Sequence, residues 1–137
     1  MPALRTDEKL SRWTPVYGYE IDDTDAPLGP LPSFPFRGIA NGSYHGGENQ
    51  LLFGNWDVPA LDANQQALAD QMKEEWTAFA QTGNPTAAAG PIWPAFRPRD
   101  ESVMSLQPAG DSQIMTQSEM SAVHNCSFWN SLATRGA

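Results

Sequence analysis

One segment of this chain, residues 61–85, carries every signal of a helix, and it limits what the remaining residues can build. Asp62 is a favourable N-cap, and Gln65 three residues later completes a capping box. Gly83 suits the left-handed position after the last turn, and Pro85 prevents the helix from continuing. Apolar residues recur on one face at steps of one, three and four: Leu68, Ala69, Met72, Trp76, Phe79 and Ala80. The sequence therefore predicts one long amphipathic helix whose apolar face needs a covering surface.

The other predicted elements are short and are separated by coil. They are the end of a helix at 7–13, strands at 15–21 and 102–106, and a closing helix at 118–132 with Ser118 as its N-cap. Residues 22–38 are acidic and then proline-rich, which predicts an irregular connection. With 12 prolines and 11 glycines in 137 residues, the chain is expected to be rich in loops. The patterning predicts half of a packed structure rather than a self-sufficient domain.

The charge balance and the few metal-ligating residues limit the partners that this chain can have. A net charge of −8 and a pI of about 4.5 argue against non-specific binding to nucleic acid or to an anionic membrane. No apolar run approaches the ~20 residues that a membrane-spanning helix needs. His45, His124 and the single Cys126 lack the paired spacing of a zinc site. We therefore expect no nucleic acid, no membrane, no metal and no cofactor.

The stretch GSYHGGENQLLFG, residues 42–54, places His45 among glycines, and three interpretations of this histidine are open. An HGG-type oxyanion loop requires a Gly-x-Ser-x-Gly elbow downstream, and the nearest approach, residues 110–114, lacks the second glycine. A triad histidine that follows the nucleophile and the acid in the chain belongs on a glycine-flanked loop of this kind. The third interpretation is a solvent-facing histidine without a chemical role, which spacing alone favours.

Five sequence blocks occur in order along the chain. They are PVYGYEIDD (15–23), YHGGENQLLFG (44–54), WTAFAQTGNP (76–85), WPAF (93–96) and CSFW (126–129). Together they resemble the C-terminal part of the type-B carboxylesterase family, whose members are α/β-hydrolases. The resemblance covers nearly the whole chain and implies an α/β fold class. It identifies residues 1–137 as the C-terminal part of a carboxylesterase domain, with one long amphipathic helix, short strands and much loop.

The resemblance implies a catalytic role for His45. In this family the histidine of the H-x-x-E block is the triad histidine, and the block matches His45 and Glu48 here, with Glu48 as a structural glutamate. Asn49 stands where the family usually has an apolar residue. His45 is then expected to take the proton of a serine that attacks an ester and to return it to the leaving alcohol. A small-molecule carboxylic ester is the substrate that the resemblance implies for the full-length enzyme.

The family also requires a serine elbow, oxyanion glycines and a triad acid, all of which precede the histidine. None of them has a match in this chain, because Asp22, Asp23 and Asp25 correspond to the connection after the first strand. We therefore expect a carboxylesterase segment that supplies the triad histidine and is inactive alone. The alternative is a small acidic interaction module without catalysis, in which the stripe from Leu68 to Phe79 docks onto a partner protein.

Overall fold

The computed structural model describes residues 2–27, 42–54, 59–88, 90–98 and 102–133, in which short elements are joined by coil. In chain order these elements are α1 (Pro2–Leu10), β1 (Gly18–Ile21), α2 (Glu48–Phe53), α3 (Ala63–Thr82), β2 (Val103–Leu106), β3 (Gln113–Met115), α4 (Gln117–Val123) and α5 (Cys126–Ala133). A 3₁₀ turn at Pro108–Gly110 lies between β2 and β3. Most of the predicted irregular connection lies outside the described residues, and its first six residues, 22–27, form neither helix nor strand.

Two compact units make up the chain. The first comprises Met1–Tyr19, Trp93–Met104 and Ile114–Ala137, and the second comprises Glu20–Ile92 and Ser105–Gln113. The strands form one three-stranded sheet in the order β1-β2-β3, and the unit boundaries fall within the strands. The predicted strands at 15–21 and 102–106 are present as the shorter β1 and β2. The three residues of β3 are too few for an alternating pattern, so the sequence did not predict this strand.

Helix α3 begins and ends where the sequence predicts, because both of its ends are capped. The Oδ1 atom of Asp62 accepts hydrogen bonds from the backbone N–H groups of Asn64 and Gln65, each at 2.8 Å. The Gln65 side chain accepts the Asp62 N–H in return, at 3.1 Å. At the other end Gly83 has a φ of 74°, and its N–H donates to the Phe79 carbonyl. The predicted capping box and left-handed C-cap are confirmed.

The apolar stripe of α3 is covered over the first half of the helix. Leu68, Ala69 and Met72 are buried, and within the second unit α3 contacts α2 and the 3₁₀ turn. Trp76 is half-buried and Phe79 is 48% exposed. Internal packing therefore uses much of the surface that an interaction module would need for a partner protein.

Replacing Asp62 by alanine is expected to loosen the first turn of α3, because the N–H groups of Asn64 and Gln65 lose their acceptor. Removing an N-cap side chain costs about 1 kcal/mol, so exchange of these two amide protons should become roughly fivefold to tenfold faster. Hydrogen exchange followed by NMR measures this change. Asp70→Ala, on the exposed side of the same helix, is the control. Equal exchange rates in the two variants would contradict the capping role.

The first unit has its own apolar core. Four buried residues form it, with Val16 and Met115 packed against them: Leu4 of α1, Phe96, Val103 of β2 and Met120 of α4. The Phe96 N–H donates to the Val16 carbonyl at 2.7 Å, which ties the coil before β2 to the coil before β1. Helix α1 ends at Leu10, so the helix predicted over 7–13 is wrong for its last three residues, which form a turn.

The closing helix predicted over 118–132 is wrong in two respects. Thr116, not Ser118, is the N-cap of α4, since its hydroxyl accepts the Glu119 N–H at 3.2 Å and the Glu119 carboxylate accepts the Thr116 N–H at 2.8 Å. The helix is also interrupted, because Asn125 adopts a φ of 49° between α4 and α5. Asparagine tolerates this left-handed conformation better than most residues, so the chain can turn there and start a second helix.

Large apolar side chains are exposed in both units. In the first unit Trp13 is 88% exposed, and Phe128 and Trp129 of α5 are 55% and 62% exposed. Their rings contact each other edge to face, with centroids 5.1 Å apart. In the second unit Phe53 and Ile92 are 81% and 78% exposed. Apolar surface of this extent is typical of regions that pack against further protein.

Candidate active site

His45 lies in a tight turn directly before α2, in the second unit. The Gly47 N–H donates to the Tyr44 carbonyl and the Asn49 N–H donates to the Gly46 carbonyl, each at 3.1 Å, so the turn continues into the helix. Gly46 has a φ of 88°, a conformation that side chains disfavour, which explains the glycine after the histidine. The His45 side chain is exposed. The His45 imidazole is therefore exposed to solvent on a turn that two backbone hydrogen bonds hold closed.

The histidine turn is held by contacts with the segment that follows β1. The Tyr44 hydroxyl donates to the Pro27 carbonyl at 2.6 Å, and Gln50 Nε2 donates to the same oxygen at 3.0 Å. Gly47 is buried, and a Cβ there would stand 3.6 Å from the Cβ of Ala26 and 3.3 Å from the Tyr44 carbonyl oxygen. The small residue at 47 therefore allows the turn to approach the segment closely.

Glu48, the last residue of the H-x-x-E block, is the first residue of α2 and is half-buried. A carboxylate in the first turn of a helix interacts favourably with the partial positive charge of the helix N-terminus. Gly47 precedes it as N-cap and supplies no side-chain hydrogen bond. Glu48 thus lies three positions after His45, where the turn passes into the helix.

The other residues considered for catalysis have structural roles in the structure. Asp23 is 2% exposed, and its carboxylate accepts hydrogen bonds from Gln65 Nε2 and from the Asp25 N–H. Ser112 lies between the 3₁₀ turn and β3, and its hydroxyl accepts the Gln107 N–H at 3.1 Å. A nucleophile elbow joins a strand to a helix, whereas Ser112 precedes a strand. In the described ranges no side chain is hydrogen-bonded to the His45 imidazole.

The histidines and the cysteine do not gather into a metal site in the part of the chain that the structure describes, where no group of three His, Cys, Asp or Glu residues could hold an ion. His124 caps the end of α4, and Cys126 is buried at the start of α5. None of the helices seen in the described ranges is both long and apolar enough to cross a bilayer.

Helix α2 and the two anchors of the histidine turn, Tyr44 and Gln50, were not predicted from the sequence. The helix has six residues, begins after a glycine and lacks a side-chain cap, so none of the usual start signals marks it. The sequence offered a partial signal, since the apolar residues Leu51–Phe53 are followed directly by Gly54. Glycine directly after the last helical residue is common at the end of a helix.

Comparison with known proteins finds relatives that are similar over most of this chain. Bovine (Bos taurus) carboxylesterase 4A is 30% identical over 119 residues, which cover 86% of this chain and 20% of the relative. The phenmedipham hydrolase of Pseudarthrobacter oxydans is 30% identical over 107 residues, covering 68% of this chain and 22% of the relative. The chain thus spans about a fifth of the length of these curated relatives.

A solved PNB esterase has a similar fold, with a TM-score of 0.66 and 24% identity over 90% of this chain and 23% of the esterase. Since this esterase is an α/β-hydrolase, the predicted α/β fold class is confirmed. The family model of the carboxylesterases matches residues 1–129, a range that includes His45 and all five blocks that carried the resemblance. The chain belongs to the carboxylesterase family.

Proposed function

We propose that residues 1–137 are the C-terminal part of a serine carboxylesterase domain and that His45 is its general base. The observation that carries the proposal is the position of His45, which is exposed on a closely bonded turn within the segment that matches the family. A catalytic imidazole must reach a substrate and also keep a fixed position, and this arrangement supports both. The nucleophilic serine, the triad acid and the oxyanion donors belong to other parts of the proposed enzyme.

In the proposed reaction His45 makes two proton transfers in each half of the cycle. It accepts the proton of the serine hydroxyl as the serine oxygen bonds to the ester carbonyl carbon, and it returns this proton to the alcohol that leaves. Water then attacks the acyl-enzyme, and the same imidazole takes a proton from the water and gives it to the departing serine oxygen. The products are a carboxylic acid and an alcohol, so the proposed substrate class is small carboxylic esters.

The exposed apolar side chains support the proposal that this segment packs within a larger domain. Trp13, Phe53 and Ile92 are each more than three-quarters exposed, and exposure of this kind is costly unless another surface covers it. The matched relatives are about four to five times longer than the segment that aligns with this chain. The remainder of such a domain is the surface that we propose to cover these side chains.

A chimera tests the proposed function. In it this chain replaces the aligned segment of the PNB esterase, which then contributes the remaining three-quarters of the domain. We expect the chimera to hydrolyse p-nitrophenyl acetate and to be labelled by a fluorophosphonate, whereas the chain alone shows only background hydrolysis and no labelling. Turnover by the chain alone that a fluorophosphonate abolishes would contradict the proposal, as would a folded chimera that neither hydrolyses the ester nor reacts with the probe.

A further inference from the structure

Two separate sets of hydrogen bonds converge on the six residues that follow β1, Asp22–Pro27, which we call the anchor segment. One set comes from the start of α3 and the other from the histidine turn and α2, all within the second unit. The anchor segment therefore connects the start of α3 to the turn that carries His45.

On the α3 side, Gln65 is 5% exposed and every polar atom of its side chain is bonded. Its oxygen accepts the Asp62 N–H, and its Nε2 donates to the Asp23 carboxylate at 3.0 Å and to the Asp25 carbonyl at 3.1 Å. The other Asp23 oxygen accepts the Asp25 N–H at 3.0 Å. The cap of α3 and the anchor segment thus share one buried side chain.

On the histidine side, the Pro27 carbonyl accepts two hydrogen bonds, from the Tyr44 hydroxyl and from Gln50 Nε2, and a carbonyl oxygen has two lone pairs to offer. Gln50 is 6% exposed, and its Oε1 is buried without a hydrogen-bond partner within the described ranges. Burying an amide oxygen in this way is unfavourable. The bond to Pro27 is therefore the polar contact that fixes this side chain.

We infer that Gln65, Tyr44 and Gln50 are positioning residues for His45, acting through the anchor segment; this inference rests on the proposed function. His45 makes no side-chain hydrogen bond of its own in the part of the chain described here, so its position depends on the backbone of its turn. The bonds of Tyr44 and Gln50 fix that backbone to Pro27, and Gln65 fixes the segment to α3. A displacement of about 1 Å at a catalytic group can cost 100-fold in rate, which gives the network its role in catalysis.

The first test uses the chain alone and needs no catalysis. Gln65→Glu places two carboxylates together at the Asp23 contact, and adding Asp23→Asn restores a donor–acceptor pair with the wild-type net charge. In the single variant we expect the Gly47 and Asn49 amide protons to exchange about tenfold faster, while the Met72 amide in the middle of α3 is unchanged. The double variant should return towards wild-type rates. Unchanged exchange at Gly47 and Asn49, or equal loss of protection along all of α3, would overturn the inference even if the proposed function is correct.

The second test uses the chimera. Tyr44→Phe removes only the hydroxyl that bonds to Pro27, and we expect kcat for p-nitrophenyl acetate to fall about 10- to 100-fold with KM nearly unchanged. Tyr19→Phe makes the same chemical change on β1, at a residue assigned to the other unit, and serves as the matched control. An unchanged kcat, or a loss confined to KM, would show that Tyr44 does not position the base. Because the exchange measurement is independent of activity, failure of the proposed function is distinguishable from failure of this inference.

Discussion

Replacing His45 by glutamine in the chimera is expected to lower kcat by about 10⁴- to 10⁶-fold, with a much smaller change in KM. Glutamine is similar in size to histidine but cannot accept and return a proton at neutral pH, so the serine would attack without a base. His45 is exposed, which means that the substitution removes no buried packing. The initial rates of p-nitrophenyl acetate hydrolysis and the second-order rate of fluorophosphonate labelling should fall together.

The second histidine of the chain provides the matched control. His124 lies at the end of α4, two residues before Cys126, and the family resemblance gives it no catalytic role. His124→Gln makes the same chemical change in the first unit, and we expect kcat to stay within about twofold because no proton transfer is proposed for this residue. Similar losses in both variants would indicate damage to the fold, and near-normal activity of His45→Gln would rule His45 out as the base.

The sequence located the candidate base because local signals surround it. The glycines next to His45 and the spacing to Glu48 can be recognised within a few residues, and the order of the five blocks supplied the family. The contacts that hold the turn are different in kind. Tyr44 and Pro27 are 17 residues apart in the chain, and Gln65 and Asp23 are 42 apart. No local pattern predicts bonds over such distances, because they depend on how separate segments pack.

The same distinction explains the fold predictions. Helix α3 was predicted correctly because Asp62, Gln65 and Gly83 satisfy its ends within the segment itself. The interruption at Asn125 was missed because its neighbours 118–132 carry an otherwise continuous helical pattern, and a left-handed residue changes the chain direction without changing that pattern. The apolar face of α3 was expected to need a covering surface along its whole length, yet Phe79 near its end remains half exposed. Burial of such residues depends on surfaces that periodicity does not describe.

Glu75 shows how neighbouring identical residues can differ. The sequence EEW offers no reason to separate Glu74 from Glu75, yet Glu74 is exposed whereas Glu75 is fully buried in α3. Oε1 of Glu75 accepts a hydrogen bond from Gln71 at 3.0 Å, and its Oε2 is buried without a partner in the described part of the chain. Burial raises the pKa of this carboxyl above its usual value; the hydrogen bond from Gln71 opposes the rise, and the charge of Glu74 adds to it.

The raised pKa determines the direction of a stability effect. The folded state keeps the Glu75 proton to a higher pH than the unfolded state, whose ordinary value is 4.5. The contribution of Glu75 to stability is therefore fully present below that value and is lost as the pH rises through the folded pKa. At neutral pH an exposed carboxyl would release its proton to the solvent. In the folded chain Glu75 must either keep this proton or carry a buried negative charge, and both are unfavourable.

Glu75→Gln is therefore expected to stabilise the fold at neutral pH and to leave it nearly unchanged in acid. Glutamine resembles the protonated carboxyl in shape and keeps an acceptor for Gln71, so near pH 4 the two side chains should be equivalent. At pH 7 the variant avoids the ionisable group, and we expect its free energy of unfolding to exceed that of the parent by about 1–3 kcal/mol. Urea unfolding at several pH values, followed by circular dichroism, measures this difference.

Glu74→Gln makes the same change of net charge at an exposed position, and it relieves only the repulsion on Glu75, so its stabilisation should be smaller. If the two variants gained equally, net charge and not burial would be the cause; if the Glu75→Gln gain were the same at pH 4 and pH 7, the carboxyl would not be titrating with a raised pKa.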